Sequence, residues 1–536
     1  MVSKIWSRKA TAITVALALC IMLVAGCGPT ETAPPKPPET PAPAPEPEKV
    51  VVLGMPADPS TLDPHLTGQN IDWNVCYHIF DSFVGRDVTG ATVPSLAEKW
   101  EVVDPENNVW RFHLRQGVTF HNGEPWNAEV AKWNFERART EPQSMQKRYA
   151  EEAQEITIVD EHTLDIKLLS PLSVAMGNLV QFHIVPMQYI QEVGNATFGI
   201  KPVGTGPYKF VEWVKDDHIT LEANADYWGG APEVKKAMIK PVPEPASRVI
   251  GLISGDLDVI RGVSVFDTDR IDQSGVAKVV ALDGPRMWHI KLDTYRDSNS
   301  PGLTVKDSNP FQDVRVRQAM YLAIDVDTII QQVMRGFALP ASQTVAPFVW
   351  GHNPAVTRPG YDPDKARQLM ADAGWSDGFG VRFDVAQGWD VVAEAIGHYL
   401  GEIGIRVEVN VVPSAVHRQL MENYDTSMAW GGWGATFVNT AFEGVVHTVD
   451  SAGGYGRANY GRYSNPELDK LIEKAAATMD PDAQLELYRQ CQKMLMDDVG
   501  IIPIFHEGLI AGVRKGYEVS PTAFEHVYLH YVKIAK

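Results

Sequence analysis

The sequence predicts an α/β protein of several domains. Helical and strand-like patterns alternate in its second half: helical spacing over 362–374 and 393–403, then Ile405, Val407, Val409 and Val411 at period two. That βαβ-like order argues a sheet flanked by helices. Short alternating runs occur earlier too, with Trp110, Phe112 and Leu114 set against Arg111, His113 and Arg115, the mark of a half-buried strand. At 536 residues, 44% hydrophobic and 21% charged, the chain is long enough for about two to four domains and has the composition of a folded protein.

Taken in order, the chain opens with Lys4, Arg8 and Lys9, then an apolar run over 10–25 closed by Val24-Ala25-Gly26-Cys27. This is the pattern of a secretory signal. Its ending resembles a bacterial lipoprotein signal, which implies cleavage after residue 26 and diacylglycerol on the sulfur of Cys27; Val24 stands where Leu is usual. An uncleaved anchor is the alternative, but about 16 apolar residues is short for a span. Residues 27–49 form a linker dense in Pro, Ala, Glu and Thr. Such a stretch favours extended polyproline II, a stalk of up to ~3.1 Å per residue that cannot build a core.

In the folded body, 50–54 (VVVLG) reads as a buried strand and 71–83 as an amphipathic helix with Trp73, Tyr77 and Phe80. Asn127 is a good N-cap for a helix carrying Val130, Trp133 and Asn134. A turn at 202–208 precedes a strand over 209–221, and 247–253 is helical, ending near Gly255. Trp288 to Asp293 reads as a strand. Asp313-Val314 opens a charged helix in which Arg315 and Arg317 are given structural roles. Asp362-Pro363 starts a helix that ends near Gly374, the Pro-first, Gly-last asymmetry. Ser464-Asn465-Pro466-Glu467 reads as a capping box for a helix through Ala477. Another helix runs from Asp480-Pro481 to about Asp498, and a final strand covers 501–505.

A net charge of -19 argues against nucleic acid, since phosphate binding needs a basic surface. Removing residues 1–26 takes away three positive charges and brings it to -22. The cysteines are Cys20, Cys27, Cys76 and Cys491, with no CxxC or Cys/His cluster for zinc. Cys76 and Cys491 are read as buried free thiols, with a disulfide between them in an oxidising compartment as the alternative. No HExxH, Gly-x-Ser-x-Gly, Walker A or Rossmann fingerprint occurs. The 15 histidines are dispersed, His121 and His447 being the two most easily mistaken for catalytic bases. Asp216-Asp217 and Asp497-Asp498 read as solvated charges.

One stretch stands apart: YDTSMAWGGWGATFVNT, 424–440. Trp430 and Trp433 sit among Gly431, Gly432 and Gly434 after an apolar lead-in. The glycines permit a bulge or a close approach by another molecule. A ligand laid on one Trp face gains on the order of 2–3 kcal/mol gross. The alternative is a core strand with both Trp residues packed inside.

Three phrases carry a resemblance. Leu62-Asp63-Pro64-His65, the run from Pro94 to Trp100 (PSLAEKW) and the run from Phe112 to Gly123 (FHLRQGVTFHNG) resemble, in this order and spacing, the bacterial extracellular solute-binding proteins of the peptide/nickel group (family 5), which serve ABC importers. Pro202-Val203-Gly204-Thr205-Gly206-Pro207-Tyr208 and Gly255-Asp256-Leu257-Asp258 continue it, and it covers the chain after the linker. The resemblance implies a two-lobed periplasmic-binding-protein fold, class II-like and of cluster C, with an inserted extra subdomain in the first lobe. The first lobe is expected over 50–90, 202–290 and 505–536, the insertion over 91–201 and the second lobe over 291–504.

The same resemblance implies an extracytoplasmic monomer, lipid-anchored to a bacterial membrane in the periplasm or at the cell surface. It would capture a peptide or similar small solute between its lobes and deliver it to ABC permease subunits. No catalytic residue, cofactor or metal is implied. Trp430, Trp433, Thr436 and Phe437 fall in the cleft wall, with Trp288 and Trp389 as further candidates. Peptide-binding relatives place an acidic residue three positions after the Trp, to pair with a peptide's amino terminus. Thr436 stands there, and a hydroxyl cannot replace that charge. A metal chelate held by His447 and an oligosaccharide stacked on the aromatics are the ligand alternatives. A lipid-anchored secreted enzyme and a sensor or adhesion lipoprotein are the alternatives of other classes.

Overall fold

The computed structural model describes residues 49–87, 92–435, 437–451, 454–519 and 526–535. The signal segment with Cys27, the linker up to residue 48, and Thr436 lie outside the described residues.

Two sheets organise the described chain. The first has seven strands in the order Ala277–Leu282, Leu509–Arg514, Val259–Arg261, Val50–Met55, Lys236–Pro241, His218–Ala223 and Tyr208–Val214. Val50–Met55 lies parallel to both of its neighbours, and Val51, Leu53 and Met55 are fully buried. The second has six strands in the order Ala338–Pro340, Ile502–Glu507, Arg286–Leu292, Met428–Gly434, Phe379–Ala386 and Ile405–Val412. Each sheet has its own apolar core, so the two are separate lobes. A four-stranded antiparallel sheet over 97–168 packs a third core around Phe112, Trp126 and Phe135, where the inserted subdomain was expected.

The chain crosses between the sheets twice. Leu282 pairs with Leu509 in the first sheet and Met287 with His506 in the second, so the crossings at 283–285 and 508 run side by side. Gly284 and Gly508 make this possible: a Cβ there would come 2.2 Å from the Glu507 carbonyl and 2.6 Å from that of Phe337. Sheet membership thus moves both crossings by a few residues from those expected at 290 and 505, because Arg286–Leu292 and Ile502–Glu507 both pair wholly within the second sheet.

Most elements follow their local signals. Asn127, Asp313, Asp362 and Asp480 each cap the expected helix, accepting from the N–H of Val130, Arg315, Lys365 and Ala483. Cys76 and Cys491 are buried free thiols. Three expectations are corrected. The helix expected over 71–83 is Asn70–Ile79, because the Gly206 N–H takes the Ile79 carbonyl at 2.9 Å and the 202–208 turn occupies the next position. A Cβ on Gly204 would sit 1.9 Å from that same oxygen. The strand expected over 209–221 is a hairpin, turning at Asp216 with φ of 61°. At 464–467 the cap is Asn465, which accepts from Glu467 and Leu468; Ser464 instead accepts from the Thr448 hydroxyl.

Buried charges lock the pieces. Asp63 is fully buried and receives Arg137 at 2.6 Å, while Arg137 also donates to Asn195. His65, two residues on, donates to the His183 carbonyl at 2.8 Å. Arg317 donates to the carbonyls of Phe311 and Gln312 and to the Asp498 carboxylate at 2.8 Å. Asp498 is therefore a partner inside the second lobe rather than a solvated helix-end charge. His121 bonds the Gly206 carbonyl at 2.9 Å, a structural role. Glu443 is different: burial pushes its carboxyl up to about 7, with Asn439 and Arg457 pulling back and Glu152 of the inserted subdomain pushing the same way as burial.

Two outcomes follow. Asp63→Asn leaves Arg137 buried without its counter-charge and should cost about 3–5 kcal/mol in urea denaturation. Between about pH 4.5 and 7 the native Glu443 holds a proton that the unfolded chain has released, so its contribution to stability falls as pH rises through that window. Glu443→Gln removes the effect: the variant should match the parent near pH 4 and exceed it by about 3 kcal/mol at pH 8, read from paired denaturation curves.

Candidate functional site

The strand Met428–Gly434 runs antiparallel to Arg286–Leu292 with an unbroken register, placing Gly432 opposite Trp288, Gly431 opposite His289 and Trp433 opposite Met287. No bulge forms. A Cβ on Gly432 would lie 2.9 Å from the Trp288 ring, and one on Gly431 would lie 2.1 Å from Lys291 Cε. The space these glycines leave is thus filled by the neighbouring strand, which corrects the expectation that another molecule approaches there.

Side chains three apart on a strand point to opposite faces, and so the two indoles separate. Trp430 is 1% exposed, lies parallel to Trp288 at 5.6 Å and 6°, and packs on Phe505 and Phe383. It is a core residue of the second lobe, not a ligand-facing one. Trp433 lies on the other face, half-buried against the Phe442 and Val445 cluster, with the exposed Arg457 guanidinium 5.5 Å above its ring. The buried indole N–H of Trp433 has no acceptor among the described residues.

Trp288 is half-buried and donates its Nε1–H to Glu507 at 2.7 Å. Trp389 caps this aromatic group, 4.0 Å from Trp288 and 5.6 Å from Trp430. Phe437 belongs to a second contact: its ring lies over Gly177 of the helix Leu172–Leu179, where a Cβ would come within 3.1 Å. It therefore bridges the second lobe to the core of the inserted subdomain. His447 is 4% exposed, with Nδ1 2.7 Å from the Thr448 carbonyl and Nε2 3.2 Å from Glu473, and its ring stacks on Tyr455 at 4.1 Å. Both nitrogens are engaged inside the second lobe, which corrects the chelate-binding role. Among the described residues no group of three or more His, Cys, Asp or Glu side chains is placed to hold a metal.

Beside the crossing at Gly508 a cavity of about 290 Å³ opens between the lobes. Val265, Phe266 and Ile510 line it from the first lobe; Met334, Trp389 and Asp390 line it from the second, with Glu507 at the crossing. A second cavity of about 290 Å³ shares Glu507 and Gly508 and is lined by Arg261 and Arg286. Of the residues expected in the site, Trp389 lines the first cavity, Trp288 holds its Glu507 wall, and Trp433 and Phe437 lie apart from both. Sequence reasoning missed Phe266, Asp390 and Glu507. Only Asp390 carried a local signal, as an acid in the first turn of the helix Asp390–Gly401; the others arrive from distant segments.

Residues 91–454 match the profile of bacterial extracellular solute-binding proteins, family 5 Middle. Heme-binding protein A of Haemophilus influenzae is 26% identical over 469 residues, covering 81% of this chain and 83% of that one. The dipeptide-binding protein of Escherichia coli is 25% identical over 473 residues, covering 82% and 86%. Among solved structures, HbpA2 from Haemophilus parasuis superposes with a TM-score of 0.78 at 22% identity, over 91% of this chain and all of that one. The two-lobed α/β architecture expected from the sequence is the periplasmic-binding-protein fold these neighbours have. With the family's profile matched over most of its length, the chain belongs to the bacterial extracellular solute-binding proteins, family 5.

Proposed function

We propose that this protein is the extracytoplasmic receptor of an ABC importer, closing two lobes on a peptide or similar small solute and handing it unaltered to a membrane permease. The observation that carries the reading is an aromatic-walled cavity lined from both lobes, set beside the paired crossings at 283–285 and 508. A solute there touches both halves when they are shut, and such differential contact is what shifts a population toward closure. The relatives support it: one is a heme-binding protein and another a dipeptide-binding protein.

In this reading the first lobe, interrupted by the insertion near 91–201, and the second lobe between the crossings act as two rigid bodies of a monomer. Trp389, Trp433 and Phe437 face the solute or the closing surface. Trp288 positions the crossing, and Thr436 adds a hydroxyl rather than a charge. Lipid on Cys27 and the proline-rich linker tether the receptor outside the cytoplasm. No helix of the described residues is long and apolar enough to cross a membrane.

Native mass spectrometry of the purified protein should find one small molecule per chain, released chemically unchanged. A converted product would favour an enzyme; capture of a protein with no small molecule would favour a sensor or adhesion role. Trp389→Ala should weaken rebinding of that molecule at least tenfold, the loss expected when about half an indole's contact area is removed. Its circular-dichroism spectrum should stay as in the parent. Unchanged affinity takes the altered Trp out of the site.

A further inference from the structure

Resting on that receptor reading, we infer that the cavity beside Trp389 takes a positively charged group carried on a hydrophobic body, an organic ammonium. Its apolar wall comes from both lobes: Phe266 and Ile510 on one side, Met334 and Trp389 on the other. One carboxylate open to a ligand lines it, Asp390, and no basic side chain lines it among the described residues. Glu507 already accepts from Trp288. Asp390 makes no ion pair and no side-chain hydrogen bond among the described residues.

The helix Asp390–Gly401 begins at this wall, and its positive end is worth roughly half an elementary charge. A full carboxylate charge on Asp390 exceeds that, and so the wall stays negative. Trp389 adds in the same direction, because the face of an indole attracts cations and attracts them more strongly where water is excluded. A volume of about 290 Å³ is at the small end of ligand pockets, about 300–1,000 Å³. It suits one amine-bearing arm rather than a large planar cofactor.

The test uses three probes of nearly one shape: 3-phenylpropylamine, a cation; 3-phenylpropan-1-ol, neutral; and 3-phenylpropanoate, an anion. Each is titrated calorimetrically into the purified protein at pH 7. The cation should bind at least tenfold tighter than the neutral probe, and the anion should not bind. Asp390→Asn should reduce the preference for the cation to less than threefold at unchanged melting temperature. Binding of the anion, an undiminished preference in Asp390→Asn, or binding of none of the three at millimolar concentration would overturn the inference. A co-purified solute without a cationic group would also overturn it while leaving the receptor reading intact. A protein that carries and releases no solute at all would remove the receptor reading itself.

Discussion

The geometry between the lobes depends on one strand pairing, Arg286–Leu292 against Met428–Gly434, in which Gly432 faces Trp288. Without a side chain at 432 the Trp288 indole can lie down on the sheet and stack on Trp430. In that position its N–H reaches Glu507, the last residue before the crossing at Gly508. Trp389 is carried along, resting 4.0 Å from Trp288. A buried aromatic group of this kind is stiff, because interiors are close-packed and side chains have few rotamers to choose from. The cavity wall and the crossing are therefore two ends of one packed unit.

The opposite face of the same strand carries two buried basic groups, His289 and Lys291, beside the apolar Met287, and it is equally constrained. The Lys291 stem fills the space over Gly431, and its amine lies 3.3 Å from the Ala458 carbonyl. Burial lowers this amine to about 7. His289, beside it in the strand, is held neutral by burial well below the usual imidazole range. A charge inside a low-dielectric interior is costly without a counter-ion, and neutralisation is the cheaper state. The strand thus has an aromatic side toward the Trp389 cavity and a side on which two weakly basic groups, kept close to neutral by burial, sit beside an apolar cluster.

The phrases that carry the family resemblance turn out to be fold-holding residues. Asp63 and His65 bind Arg137 and the His183 carbonyl; Gly204 and Gly206 pack against the end of the Asn70–Ile79 helix; His121 ties that turn to the inserted subdomain. Each is demanded by a backbone contact or a buried charge, whatever the solute. The positions that face the cavity, from Val265 and Phe266 to Trp389 and Asp390, lie outside those phrases. Scaffold phrases and cavity lining that fall in different stretches fit a fold that hosts many ligands by varying its loops.

Local chemistry settled much of this protein from sequence by itself. Caps at Asn127, Asp313, Asp362 and Asp480, the alternating strands and the Pro-first and Gly-last helix at 363–374 are each decided within a few residues. Tertiary structure decided the rest. Whether Trp430 and Trp433 share a face depends on their run being a strand, and what fills the glycine spaces depends on the partner strand. Helix Asn70–Ile79 stops where a turn more than a hundred residues later meets its last carbonyl. The cavity joins Phe266, Met334, Trp389 and Glu507 from four distant segments. Burial, which moves Glu443 and Lys291 toward neutrality, exists only after folding, because desolvation is a property of the packed interior and not of any short stretch of chain.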